Sequence, residues 1–296
     1  MELDHVEAFV AVIRRGGFTH AATALHLSQP AVSRRIDLLE RELGRPLFDR
    51  TRGGARLTEA GRTFLPHAEA LLASMRDGLE AVRGLERADH GSVTLAMVGT
   101  LANTILTGCL KRFRRAYPAV RVTVRTALSR EVSALVRRGD AALGLRYFGD
   151  SDPDLVSVTL YREALLVVSA PSHRLARVRR IVPSMVAGET WVSFLPRPDS
   201  YAQMLGERLA ALGLSNAEIV TIDSLTAQKR LVEAGFGLAL VPESSVEEEL
   251  RARTLRALRI PAMRMAVPVV LVHRRRAYLS GAARALMTEL SARPAT

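Results

Sequence analysis

Cysteine occurs once in the 296 residues, at Cys109. No internal disulfide can form, and no thiolate cluster can hold a metal. Cys109 lies in the apolar, helix-periodic run Ile105-Leu106-Thr107-Gly108-Cys109-Leu110, which reads as a buried structural thiol rather than a redox sensor. The seven histidines, at 5, 20, 26, 67, 90, 173 and 273, are scattered without the i, i+4 pairs of a zinc site. The expectation is no metal and no other cofactor. No apolar stretch approaches the roughly 20 residues that span a bilayer. Glu2, Asp4 and Glu7 stand where a secretion signal would be basic, so a cytoplasmic protein with no membrane partner is expected. Catalytic signatures are missing as well: there is no Gly-x-Ser-x-Gly elbow, no Gly-x-x-x-x-Gly-Lys loop and no Ser/His/Asp set with a supporting motif. The chain does not read as an enzyme. Lysine is nearly absent, being confined to Lys111 and Lys229.

Hydrophobic residues make up 48% of the chain, enough for well-filled cores in two or three domains. The formal net charge of +12 suggests a polyanionic partner. Its distribution matters more. Residues 1–90 carry 13 basic and 13 acidic side chains, so the whole excess falls on residues 91–296.

The neutral N-terminal part nevertheless holds the most specific local pattern. Leu3, Val6, Phe9, Val10 and Ile13 follow the helical period, and Gly16-Gly17 ends a first helix over 2–15. The stretch 18–36 then reads as two short helices joined by a tight turn. Thr19 is the expected N-cap of the first, preceded by Phe18, while Ala21, Ala22 and Ala24 give it a small-residue face. Ser28 is the expected N-cap of the second, with Gln29 and Pro30 in its first turn, where a missing N–H costs little. Val32, Ile36, Leu39 and Leu43 form one apolar stripe, leaving Gln29, Ser33 and Arg34 on the outer side near the N-terminal end. A recognition helix touches base edges there. The alternative is an ordinary helical hairpin inside a larger domain. Gly44 and Pro46 stop the helix. Residues 47–51 and 55–57 then flank Arg52-Gly53-Gly54 as a hairpin, or wing, with arginines placed to meet phosphates or a minor groove; the alternative is a solvated basic loop. The local arginines are Arg34, Arg35, Arg50, Arg52 and Arg56.

From Thr58 a long helix is predicted to about residue 87, with Phe64, Ala68, Leu71, Met75, Leu79, Val82 and Leu85 at spacings of three and four. A helix this long cannot bury such a stripe against fewer than 60 residues. It asks for a partner helix, most simply its own copy in a homodimer. Pro66 is expected to bend it near 62–66. Beyond Gly91 the pattern alternates strand and helix: strands over 93–98, 120–125, 142–146, 165–169, 191–194, 219–222, 238–241 and 267–272, and helices over 101–115, 131–138, 183–186, 200–212, 226–234 and 282–291. Such alternation implies a parallel sheet covered on both faces, here in two α/β lobes with chain crossovers near 160–165 and 264–268.

The layout resembles the LysR-type transcriptional regulators over its full length. The resemblance is carried by Phe18-Thr19-His20-Ala21-Ala22, Leu27-Ser28-Gln29-Pro30-Ala31-Val32-Ser33, Ile36, Leu39-Glu40, Leu43-Gly44, Leu47-Phe48-Asp49-Arg50 and Leu57-Thr58-Glu59-Ala60-Gly61. It is looser at Leu143-Gly144-Leu145-Arg146-Tyr147, at residues 232–242 and at Arg274-Arg275-Arg276 before Leu279-Ser280. The resemblance implies an α+β multidomain chain. Its parts would be a winged helix-turn-helix DNA-binding domain (1–58), a linker and dimerisation helix (59–90), and a two-lobed α/β effector domain of periplasmic-binding-protein type (91–296). Lobe I would cover about 91–161 and 267–296, and lobe II about 162–266. The family commonly assembles as a homotetramer. By the same resemblance Gln29, Pro30, Ser33 and Arg34 would read the major groove of double-stranded DNA and Arg52 the flanking minor groove; Arg50 would join them or pair with a carboxylate inside the wing domain.

In open α/β sheets ligands bind beyond the carboxyl ends of strands, where helix N-termini point. That rule selects Thr100 and Leu101 after the first strand, Leu128 and Ser129 after the second, Arg146 and Tyr147 at the end of the third, and Ser193, Phe194, Asp223 and Ser224 from the other lobe. A small, anionic effector held by Thr100, Ser129 and Arg146 is the expectation. Asp223 argues instead for a hydroxyl or amine. Taken singly, Thr100, Ser129 and Ser224 also serve as helix caps, and Arg146 as a partner of Asp150. The competing reading is an enzyme or metabolite carrier whose N-terminal part only dimerises; it lacks both a catalytic motif and an export signal.

Overall fold

The first helix, α1 (Leu3–Arg15), ends where Gly16 takes a left-handed conformation, φ +76°. In this computed structural model, which describes residues 1–51, 54–83, 91–102, 104–198 and 200–292, the chain divides into two compact units near residue 86. In the N-terminal unit α1 is followed by α2 (Phe18–Leu25) and α3 (Gln29–Leu43). Gly17, not Thr19, occupies the N-cap of α2, so the helix starts earlier than its polar residue suggests. The reason is packing: the Phe18 ring meets Phe48 edge-on at 5.5 Å, which draws Phe18 into the first turn. Ser28 caps α3 as expected, accepting from the Ala31 N–H at 3.3 Å. Val32, Ile36 and Leu39 are buried with Val6, Phe9, Val10, Ala21, Ala22 and Leu47. Leu43 departs from the expected stripe and stays exposed, as does Ala24.

Strands β1 (Phe48–Thr51) and β2 (Gly54–Leu57) pair antiparallel, Phe48 opposite Leu57. Helix α4 (Glu59–Arg83) runs through Pro66, which removes one ladder bond without ending the helix; residues 84–90 lie outside the described residues. Thr58 starts it, its hydroxyl accepting from Gly61 N–H at 3.0 Å and donating to Pro46 O at 2.7 Å. Phe64, Leu65 and Leu72 pack on the unit's core, whereas Leu71, Met75, Leu79 and Val82 are exposed, Val82 at 67%.

The C-terminal unit holds β3 (Gly91–Val98), α5 (Thr104–Ala116), β4 (Val120–Ala127), α6 (Ser129–Arg137), β5 (Leu143–Tyr147), β6 (Leu155–Ser169), β7 (Trp191–Phe194), α7 (Tyr201–Ala211), β8 (Ile219–Ile222), α8 (Leu225–Glu233), β9 (Ala239–Pro242), α9 (Glu247–Ala252), β10 (Arg256–Leu258), β11 (Met265–Arg274) and α10 (Gly281–Ser291). Seven strands form one sheet in the order β10-β6-β11-β5-β3-β4, with β9 also on β6; β7 and β8 form a separate parallel pair. The sheet is mixed, not parallel. β3 is parallel to β4 and β5, but β11 is antiparallel to both β5 and β6. Strand β6 carries the chain out of lobe I, where it pairs with β11, into lobe II, where it pairs with β9 and β10; β11 brings the chain back. Two crossings in opposite senses must lie antiparallel. Lobe I buries Leu95, Met97, Leu143, Leu145 and Leu271 on one face of the sheet and Ala96, Val132, Val136, Val270 and Val272 on the other, as strand alternation requires. Residues 183–186 form a 3₁₀ turn rather than an α-helix.

Candidate functional site

Two sets of residues stand out, one in each unit. On α3 the buried stripe turns Gln29, Pro30 and Arg34 to solvent, with Ser33 half-buried beside them. Gln29 Nε2 donates to Ser33 Oγ at 3.0 Å, so the two side chains that flank the first turn are pre-set as one polar patch. Arg35 is not free for a ligand, because it pairs with Asp4 at 2.8 Å. The hairpin is fixed to α3 by Glu40, whose Oε1 accepts from the N–H groups of Leu47 and Phe48 at 2.6 and 3.1 Å. This pair of bonds gives Glu40 of the Leu39-Glu40 motif a structural task. Arg56 is exposed on β2. Arg52 and the Arg50 side chain lie outside the described residues.

In the C-terminal unit a cavity of about 1140 Å³ opens between the lobes. Thr100, Leu128, Ser129, Tyr147, Phe194, Asp223 and Ser224 line it, as the strand-end rule places them. Leu101, Arg146 and Ser193 do not. Leu101 is buried in the core. Residues 99–101 form a 3₁₀ turn and α5 begins only at Thr104, so Leu101 opens no helix. Ser193 and Phe194 are neighbours on β7 and face opposite ways, and the same alternation separates Arg146 from Tyr147 on β5. Arg146 is 1% exposed. It donates to Ser133 Oγ at 2.7 Å and pairs with Asp150. Burial alone would raise the Asp150 carboxyl; hydrogen bonds from Ser133 and the Asp152 N–H, with the Arg146 charge, outweigh it and hold the carboxyl below the usual range. The local ion pair weighed from sequence is the one that forms, and Arg146 is part of lobe I rather than of the cavity wall.

Thr100 Oγ1 donates to Tyr147 Oη at 3.1 Å, leaving the phenolic proton available to an acceptor. Burial pushes the Tyr147 phenol far up, so it stays neutral. Tyr201, the first residue of α7, packs edge-on against both Tyr147 and Phe194, with ring centroids 5.8 and 6.0 Å away. Its hydroxyl is buried and has no hydrogen-bond partner among the described residues, a state that costs on the order of 1–3 kcal/mol. Sequence reasoning missed Tyr201, although the rule that selected Ser129 and Ser224 applies equally to the helix after β7. Ser224 caps α8, accepting from Ala227 N–H at 3.4 Å. At α6 Glu131 receives the Leu128 N–H at 3.0 Å, half of a capping box. Lys229 Nζ reaches Glu249 at 2.5 Å and Ser245 O at 3.1 Å. The charged lining comprises Arg130, Arg197 and Lys229 against Glu131, Asp223, Glu247, Glu248 and Glu249. With Arg146 facing away, the wall holds no excess of positive charge for an anion. Among the described residues no cluster of three or more metal-ligating side chains occurs, and no helix is long and apolar enough to cross a membrane.

Comparison with known proteins assigns both parts of the chain to known domain families. Residues 3–62 match the bacterial regulatory helix-turn-helix protein of the lysR family, and residues 86–295 match the LysR substrate binding domain. The HTH-type transcriptional regulator TfdS of Cupriavidus pinatubonensis is 31% identical over 280 residues, 92% of each chain. Full-length OxyR from Pseudomonas aeruginosa, solved as a point variant, has the same fold with a TM-score of 0.72 at 18% identity, covering 99% of each chain. Full-length CbnR in complex with its target DNA superposes with a TM-score of 0.65 at 24% identity, covering 98% of this chain and 99% of that one. The chain belongs to the LysR family of helix-turn-helix transcriptional regulators.

Proposed function

We propose that the chain acts in the cytoplasm, without catalysis of its own, as a regulator. It reads operator DNA through residues 1–58, pairs with a copy through residues 59–90 and answers to a small polar effector held by residues 91–296. The observation that carries the DNA part is the outward face of α3, where Gln29, Ser33 and Arg34 stand clear of the buried Val32, Ile36 and Leu39. The target-DNA complex of CbnR supports it. Pro30 and Arg52, with Arg50 in second rank, complete the proposed contact set. A gel shift on the DNA upstream of the protein's own gene, at two salt concentrations, tests the reading. Arg34→Ala should lose about 1–3 kcal/mol at one base position and relax specificity there, with a small change in salt slope. Equal affinity of wild type for operator and scrambled duplex would reject it.

The effector is proposed to carry two unlike ends. An acceptor group meets the hydroxyls of Thr100, Ser129, Tyr147 and Tyr201 beside the N-terminus of α6, and a donor or cationic group meets Asp223 and Glu248. Phe194, Leu128 and Ser224 complete the wall. The orphan Tyr201 hydroxyl supports the acceptor end, since a ligand oxygen would remove its unsatisfied state. Tyr201→Phe should therefore leave the free protein's melting temperature unchanged or slightly raised, yet weaken the effector about tenfold by calorimetry, the value of one hydrogen bond to a charged or strongly polar group. A loss of stability without a loss of affinity would show that the hydroxyl serves the fold instead.

A further inference from the structure

Residues 1–90, which include the winged domain, carry no net charge, yet DNA affinity is dominated by phosphate neutralisation. The compensating charge gathers around one edge of lobe II. The segment 174–180 carries Arg174, Arg177, Arg179 and Arg180 and no acid; the segment 251–264 carries Arg251, Arg253, Arg256, Arg259 and Arg264 and no acid. The fold brings the two together. Strand β10, at one edge of the large sheet, packs against the 3₁₀ turn Arg174–Arg177, and Ile181 N–H donates to Arg259 O at 3.1 Å. All these arginines are exposed. Arg174 is held by Glu189, which His173 also contacts. Among the described residues Arg177, Arg179, Arg180, Arg256 and Arg259 find no ion-pair or side-chain hydrogen-bond partner. The nearest acids in sequence, Glu247, Glu248 and Glu249, line the cavity, with Glu249 paired to Lys229.

Five exposed guanidinium groups around one edge of the lobe repel one another, and a polyanion relieves that repulsion. Of the 42 basic residues in the chain all but two are arginine, and the planar guanidinium fork matches two phosphate oxygens at once. We propose that this basic edge of lobe II, from Arg177, Arg179 and Arg180 to Arg256 and Arg259, is a second DNA-contacting surface that binds the phosphate backbone of duplex DNA without reading sequence. These arginines then add sequence-independent affinity to the sequence choice made by α3. The proposal takes DNA as partner from the regulator reading, and the test keeps the two separable.

Full-length wild type and the variant Arg179→Ala/Arg180→Ala/Arg256→Ala/Arg259→Ala are titrated into a scrambled duplex and into the operator across a salt series. Loss of at least two phosphate contacts should reduce the slope of log affinity against log salt by about 2 or more, at ~0.9 per contact. Affinity for the scrambled duplex should fall at least tenfold at low salt, with the operator-to-scrambled ratio retained. Circular dichroism melts should coincide, because the four side chains are exposed. An unchanged slope overturns the proposal. So does an unchanged slope with loss of activated transcription in vitro, which would assign the edge to an acidic protein surface. A lowered slope with no operator preference in wild type would leave lobe II a DNA-binding surface while rejecting the operator reading.

Discussion

Gly61→Ala should lower the melting temperature of the N-terminal unit by roughly 10 °C or more and abolish operator binding. A Cβ at position 61 would lie 2.2 Å from the Leu47 carbonyl oxygen and 2.7 Å from Leu57 Cδ2. The first obstacle is backbone, and it is the same stretch that Glu40 and Thr58 pin in place, so it cannot step aside as a flexible side chain would. Overpacking of this kind costs about 1–3 kcal/mol and sometimes more. In a unit of this size each kcal/mol shifts the melting point by about 4–8 °C. DNA binding should fail before global unfolding, because relief of the clash pushes α4 away from the hairpin and shifts the wing against α3. Gly78 on the same helix is the control: nothing lies within 4 Å of its added Cβ, and Gly78→Ala should gain up to about 1 kcal/mol from helix propensity. A melt of both variants followed by far-UV circular dichroism decides it. Equal behaviour of the two would show that the close approach at Gly61 has no energetic weight.

Leu79→Glu should convert the protein from a dimer or higher assembly to a monomer at micromolar concentration while leaving the fold of the N-terminal unit intact. Leu71, Met75, Leu79 and Val82 lie along one side of α4 and are 41–67% exposed, an apolar strip that the unit's own core leaves uncovered. A two-fold copy would cover it with the same residues, so one substitution places two carboxylates at the seam. An uncompensated buried charge costs about 3–5 kcal/mol, or roughly 150- to 5000-fold in dissociation constant. Sedimentation equilibrium reads this directly. Operator affinity should fall in parallel, because two linked recognition helices act at high effective concentration and two separate ones do not. A dimeric Leu79→Glu variant would place the self-association surface elsewhere.

Much of the architecture was legible because burial imposes periods on the sequence. The stripe of α3, the cap at Ser28 and the strands at β3, β7, β8 and β9 follow from them. What was not legible arose where long-range packing decided the outcome. Gly17 replaced Thr19 at the start of α2 because Phe18 had a ring to meet. The 15 residues of β6 were read only in part, since Ser157, Val158 and Thr159 are all exposed and the first half of the strand shows no period of two. The three-residue β10 and the acidic α9 are too short to show a period. For the cavity, the rule of strand ends located the right place but could not resolve alternate side-chain direction, so it took both members of the pairs Arg146/Tyr147 and Ser193/Phe194 where the fold admits one of each.

The route of the chain through the large sheet has a consequence for synthesis. Lobe I is not a continuous stretch of sequence: β5 ends at Tyr147, but the strand that joins it to β6 starts at Met265. At about 5–20 residues per second, lobe I waits on the order of ten seconds on the ribosome for the strand that closes its sheet, while the N-terminal unit is already out and able to fold. A nascent chain stalled after lobe II would carry a finished DNA-reading head on an unfinished sensor. Removal of β11 and α10 by early termination should therefore cost the whole effector unit, not only its last segment.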